Sequence, residues 1–169
     1  AGGVGKIATV FKYSPQTNAW TKVKSMNEGR QGNVLVTLGD YIYAIGGYET
    51  NTVERYNPQT DKWSFVASTH NSYYWFGATS HQNKIYVLSE NGFEVYEPNS
   101  NTWRNLPSFN VGEGIQLVSI DDKLLAIGGS EGTNKGKTVY EFDITNNSWN
   151  HRPDMDIARH FHRAVVVNL

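Results

Sequence analysis

Six basic side chains crowd one stretch near the end of the chain: His151, Arg152, Arg159, His160, His162 and Arg163. A cluster of this kind can receive the carboxylates of an acidic peptide or a phosphate. Asp154 and Asp156 lie in the same stretch, so a charge-balanced, solvated loop is the competing reading. On an extended strand His160 and His162 share a face, a spacing compatible with metal ligation, but no further ligand stands near them. A second feature is Asn71-Ser-Tyr-Tyr-Trp-Phe76, with four successive aromatics. Strand residues alternate faces, so these rings cannot all enter one gap between sheets. Some must lie on a loop surface, where Tyr and Trp serve as anchors for a bound segment. Trp75 and Phe76 are equally able to fill packing space.

Catalytic chemistry finds little support. Glu28, Glu113, Asp154 and Asp156 are scattered, and no two have the spacing of an acid–base pair. The sequence has no nucleophile elbow, phosphate-cradling glycine loop or HExxH motif. With no cysteine among 169 residues, disulfides, cysteine-ligated metals and cysteine nucleophiles are all excluded. The expected protein is not an enzyme and needs no cofactor or metal. Net charge is −1, which argues against binding nucleic acid or an anionic membrane through bulk charge. No apolar run approaches the ~20 residues of a membrane helix. The start, Ala1-Gly2-Gly3-Val4-Gly5, has no signal-peptide pattern and no initiator Met, as expected of a processed or excised piece.

These loops must be positioned by something, and the remaining sequence is repetitive. Tyr13-Ser-Pro-Gln-Thr-Asn-Ala-Trp20 recurs as Tyr56-Asn-Pro-Gln-Thr-Asp-Lys-Trp63, Tyr96-Glu-Pro-Asn-Ser-Asn-Thr-Trp103 and Phe142-Asp-Ile-Thr-Asn-Asn-Ser-Trp149. The tryptophans step by 43, 40 and 46 residues. A glycine pair keeps the same phase at Gly46-Gly47 and Gly128-Gly129, is replaced by Ser89-Glu90 between them, and has a first copy in Gly2-Gly3. Aromatics make up 13% of the chain and there are 16 glycines, a balance that favours strands. Each period reads as four strands, a to d. In the second they are residues 33–38, 41–46, 52–56 and 63–67, with a hairpin turn at Gly39-Asp40 and a c–d turn after Asn57-Pro58. Asn146-Asn147-Ser148, a glycosylation sequon by pattern, falls in such a turn.

A lone four-stranded sheet cannot bury both faces, and stacking such sheets side by side solves this. The repeat residues Tyr13, Trp20, Tyr56, Trp63, Tyr96, Trp103, Phe142 and Trp149, with Gly46, Gly47, Gly128 and Gly129, are therefore expected to be structural core rather than a ligand cage. The glycine pair, spaced aromatic and Trp resemble the Kelch repeat, and Thr52–Trp63 and Met26-Asn27-Glu28-Gly29-Arg30 resemble blades of the BTB–Kelch proteins. The Trp begins its strand and no Gly-His…Trp-Asp pair occurs, which separates the pattern from WD40 repeats.

The resemblance implies an all-β Kelch-type β-propeller, with three complete four-stranded blades and partial blades at both ends. The units fall at about 1–25 (partial), 33–67, 77–107, 115–153 and 159–169 (partial), the last opening as another strand a. The rest of a ring is expected on another chain or segment; closure as four blades is the alternative. The resemblance further implies a protein-binding module that grips a partner segment, acidic residues included, through its d–a and b–c loops. It implies the substrate-recognition part of a cullin-3 ubiquitin ligase adaptor in the cytoplasm. Actin cross-linking is the alternative, and a carbohydrate-active propeller enzyme a further one. Carried over by position, the ligand-facing places are Arg30 and Gln31 in the first d–a loop, Tyr73, Tyr74 and Trp75 in the second, Glu113 in the third and Arg159, His160 and Phe161 in the fourth. Tyr48, Ser89 and Ser130 hold them in the b–c loops. In the family the recurrent Arg is often structural. The long b–c loop, residues 130–137, has mixed charge and the variation in length that sets partner choice.

Overall fold

The computed structural model describes residues 1–130 and 136–166. Its described elements are all strands: β1 (Val10–Ser14), β2 (Ala19–Val23), β3 (Val34–Leu38), β4 (Tyr41–Ile45), β5 (Val53–Asn57), β6 (Lys62–Val66), β7 (Gly77–His81), β8 (Lys84–Ser89), β9 (Gly92–Glu97), β10 (Thr102–Leu106), β11 (Gln116–Ile120), β12 (Lys123–Ile127), β13 (Val139–Asp143) and β14 (Ser148–Arg152). Each of β3–β6, β7–β10 and β11–β14 forms an antiparallel four-stranded sheet in chain order, and β1–β2 form a two-stranded one. These are the blades expected from the repeats. The chain divides into two compact units, Ala1–Tyr74 and Trp75–Leu169.

The c–d turns show why the repeat spacing is fixed. Tyr13, Tyr56 and Tyr96 each donate a phenolic hydrogen bond to the residue five positions on, at Asn18 (2.7 Å), Asp61 (2.7 Å) and Asn101 (2.8 Å). Those acceptors, with Asn147 in the fourth copy, all have positive φ, the left-handed conformation that Asn and Asp tolerate best. Each aromatic also leans on its own blade's Trp, at 5.2, 5.0, 5.0 and 5.0 Å between ring centroids along the chain. Burial and the bond to Asp61 push the Tyr56 phenol up to about 12.

Within the first unit, Val10, Met26, Ala44, Tyr56 and Trp63 make the core between the β1–β2 and β3–β6 sheets. The Trp63 indole donates to the Lys24 carbonyl at 2.9 Å, just past the end of β2. Within the second unit, Tyr86, Leu88, Phe93 and Val95 meet Leu117, Leu124 and Phe142 between two complete blades. Phe93 stands edge-on to Phe142 at 4.8 Å and 5.0 Å from Trp149. Trp149 repeats the first unit's device, donating to the Pro107 carbonyl at 2.9 Å just past β10.

Two expectations need correction. Trp20 and Tyr13 are not core: Trp20 is 69% exposed and Tyr13 is exposed too. Trp63 and Trp149 are each packed against the sheet before theirs in the chain, and no described sheet packs on Trp20 in that way. The expected strand a beginning at Arg159 is also not formed: residues 159–166 make no ladder with any described strand. A strand holds its extended shape by pairing, and that segment pairs with no described strand. Val167 and residues 131–135 of the long b–c loop lie outside the described residues.

Candidate functional site

The d–a loops carry one backbone device that recurs with the repeat. The second glycine of each pair donates its N–H to the carbonyl of the recurrent loop position: Gly3 to Arg30 (2.9 Å), Gly47 to Tyr73 (2.8 Å) and Gly129 to Arg159 (3.0 Å). The following loop residue accepts from the b–c loop in turn, as Gln31 does from Tyr48 (2.8 Å) and Glu113 from Ser130 (3.0 Å). These bonds lock the glycine-pair loops at Gly3, Gly47 and Gly129 against d–a loops, and the shared phase puts Gln31, Tyr74, Glu113 and His160 at equivalent places.

The next position in every d–a loop is left-handed: Gly32 has φ of 69°, Trp75 50°, Gly114 70° and Phe161 50°. Glycine adopts this conformation without cost; a bulky aromatic is a genuine outlier there. Two loops thus place a strained aromatic where two others place glycine. In the second unit the arrangement is continuous. Gly114 donates to the Trp75 carbonyl at 3.0 Å, and Phe161 donates to the Gly114 carbonyl at 3.1 Å. The Trp75 and Phe161 rings meet edge-to-face at 5.4 Å. A Cβ on Gly114 would sit 2.5 Å from the Phe161 nitrogen and 2.7 Å from its ring. Trp75 and Phe161 nevertheless remain 48% and 50% exposed. The geometry is an aromatic ledge supported by backbone, with His160 edge-on to Phe161 at 5.3 Å.

The first unit has a smaller counterpart. Tyr48 is exposed and meets Tyr74 edge-on at 5.9 Å. The Lys6 ammonium lies 5.7 Å from the centre of the Tyr48 ring and pairs with Glu49 at 2.8 Å. Gln31 is half-buried and accepts the Gly5 N–H at 3.2 Å.

Three of the sequence-derived candidates are not available to a ligand. Arg30 is wholly buried: its guanidinium donates to the carbonyls of Gly46 (2.9 Å) and Thr52 (2.7 Å), to Thr52 Oγ1 (2.9 Å) and to Glu54 Oε1 (3.1 Å). Glu54, equally buried, also accepts the N–H groups of Asn27 (2.7 Å) and Glu28 (3.0 Å). This Arg–Glu lock holds the d–a loop to its own blade. Tyr73 is buried as well, because the left-handed turn at Trp75 sends Tyr73 and Phe76 inward and Trp75 outward. Ser89 is buried, and its hydroxyl accepts the Asn91 N–H at 3.0 Å. Tyr74, Glu113 and Ser130 are half-buried, and Arg159 and His160 exposed.

The basic stretch does not act as one patch. His151 pairs with Asp154 at 2.9 Å and Arg152 with Glu141 at 3.0 Å, beside β14. His162 lies against Gly128, where burial and the nearby Arg159, Arg163 and His160 hold its pKa below the ordinary value. Among the described residues no group of three or more His, Cys, Asp or Glu could hold a metal ion. No described helix is long and apolar enough to cross a membrane. The left-handed phase was missed from sequence, although Gly32 and Gly114, aligned with Trp75 and Phe161, carried the signal.

With this geometry in place, comparison with known proteins agrees with the repeat. A family model described as the Kelch motif matches residues 29–69 and 114–156. The chain is 27% identical to Kelch-like protein 36 of Bos taurus over 157 residues, covering 85% of this chain and 25% of that protein. It is 31% identical to Kelch repeat and BTB domain-containing protein 8 of Rattus norvegicus over 154 residues, covering 85% and 27%. With Kelch repeat and BTB domain-containing protein 2 of Homo sapiens the figures are 28% over 193 residues, covering 96% and 31%. The chain therefore spans about a quarter to a third of the length of these relatives.

Proposed function

We propose, from the premise that this chain belongs to the Kelch-repeat family, that its d–a and b–c loops hold an extended segment of a partner protein. The observation that carries the reading is the pair Trp75 and Phe161: bulky, strained at φ of 50°, half-exposed and touching. Strain of this kind costs about 1–3 kcal/mol per residue and persists where function uses it. Exposed Trp and Tyr also dominate the energetics of protein interfaces. Tyr48, Tyr74, Glu113, Ser130, Arg159 and His160 flank the two ledges and supply polar contacts.

The finer reading is a substrate-recognition element of a cullin-3 ubiquitin ligase adaptor working in the cytoplasm. It draws on the relatives whose names pair Kelch repeats with a BTB domain. The test is site-specific photo-crosslinking in cells, with the reactive group at Tyr48, at Trp75 or at Thr60 in an exposed c–d turn. A common partner captured from positions 48 and 75 but not from 60 is expected. A partner captured only from 60 would overturn the loop reading. For the adaptor role, excess of this chain should lower ubiquitination of the captured partner; unchanged ubiquitination would count against that role alone.

A further inference from the structure

Tyr48 and Glu49 are the two central residues of a turn from Gly47 to Thr50, closed by the Thr50 N–H on the Gly47 carbonyl at 3.2 Å. The turn is pinned to the d–a loops beside it. Gly47 donates to the Tyr73 carbonyl and Tyr48 to the Gln31 carbonyl, each at 2.8 Å. Glu49 is left-handed at φ of 60°, an uncommon conformation for a residue other than glycine, asparagine or aspartate. Its carboxylate and the Tyr48 ring therefore stand out, both exposed, from a fixed backbone. Tyr74 closes one side, edge-on to Tyr48 at 5.9 Å. The result is a corner of two rings and one acid.

A cation already occupies this corner. Lys6 Nζ lies 2.8 Å from Glu49 Oε2 and 5.7 Å from the centre of the Tyr48 ring. A tyrosine face attracts an ammonium over that range. The Lys6 ammonium, and after it Tyr48, hold the Glu49 carboxyl below its ordinary pKa, so it is ionised at neutral pH. The occupant is nonetheless loosely held. Lys6 arrives on a flexible four-carbon stem, and both members of the ion pair are exposed, where such pairs add little. We propose that the corner of Tyr48, Glu49 and Tyr74 is a slot for a lysine side chain of the partner segment, and that Lys6 fills it until that lysine displaces it. This rests on the reading that these loops receive a partner segment, and adds that the segment carries a lysine.

The test titrates Nα-acetyl-lysine methylamide into the full chain and follows the amide signals of Tyr48, Glu49 and Tyr74 by NMR. These signals should shift. Lys6→Met, which keeps the length of the side chain and removes its charge, should tighten binding about fivefold, because the slot is then always open. Lys62→Met removes the same charge from β6 and should change nothing. Adding Glu49→Gln or Tyr48→Ser to Lys6→Met should abolish the gain. The trimethylated lysine probe, unable to donate to Glu49, should bind more weakly; tighter binding would overturn the ion-pair slot. Equal affinity in the unsubstituted chain and Lys6→Met, or an equal gain from Lys62→Met, would overturn it too. If a partner is still captured from position 75 while the lysine probe binds neither the unsubstituted chain nor Lys6→Met, the slot fails and the loop reading stands. Probe binding at the corner with no partner captured would fail the loop reading and keep the lysine site.

Discussion

The loops ahead of β3 and β11 do the same structural job with opposite chemistry. Ahead of β3, Arg30 reaches into its blade and meets Glu54 on strand c, both wholly buried. Ahead of β11, the equivalent of Arg30 is Gly112, and Ser130 closes so tightly on it that no side chain would fit. The equivalent of Glu54 is then Tyr140, which stacks on Phe109 at 4.3 Å. Of these two blades, the one with the arginine has the acid and the one without it has an aromatic pair, while the β7–β10 sheet keeps a wholly buried acid, Glu94, at the same place of strand c with Tyr73 at the loop position. A buried charge needs a partner in place, so Arg30 and Glu54 are expected to be exchanged together.

Breaking one half of that pair should have the largest effect. Arg30→Met leaves Glu54 buried without its cation and should cost about 3–5 kcal/mol in urea unfolding. Adding Glu54→Tyr to Arg30→Gly, the solution used ahead of β11, should recover much of that loss; no recovery would show that the two loops are not interchangeable. Next is the contrast between tryptophans in the first unit. Trp63→Ala should cost about 3 kcal/mol, whereas Trp20→Ala should stay within about 0.5 kcal/mol. Equal losses would mean that Trp20 is covered after all.

Strand boundaries and turns were legible because each blade must solve the same problem, so the residues that solve it recur. The expected strands of the second blade differ from those observed by about one residue. The same recurrence misled at Trp20, because a repeat writes its tryptophan whether or not a neighbour stands over it. Arg30 was read as ligand-facing because its partner Glu54 lies 24 residues away and nothing local announces the pair. In the run from Tyr73 to Phe76, simple alternation could not say which rings turn outward. One left-handed residue, Trp75, resets the alternation.

A smaller effect separates the units by pH. In the second unit His81 is buried, its Nδ1 2.8 Å from Ser119 Oγ, and its Nε2 has no hydrogen-bond partner among the described residues. Burial holds its pKa below 6.5, with Asp122 opposing only in part. The unfolded chain then takes up the proton first, so stability present above the unfolded pKa declines as pH falls below about 6.5. Asp61 and Asp143 are lowered by hydrogen bonds, from the Lys24 and Asn146 backbone N–H groups first, so their contribution is lost only below about pH 4. Unfolding followed between pH 7 and 5 should show a decline that His81→Gln flattens; an unaltered slope would assign it elsewhere.

If Trp75 and Phe161 serve recognition rather than the fold, urea unfolding of Trp75→Gly and Phe161→Gly will show it. Glycine is the residue found at that phase in the other two d–a loops, and it relieves the left-handed strain. Unchanged or increased stability in both variants, with the crosslinked partner lost, is the expected result. A loss of more than about 1.5 kcal/mol in either variant would place it among ordinary large-to-small core truncations and make the ledge part of the core rather than a recognition surface.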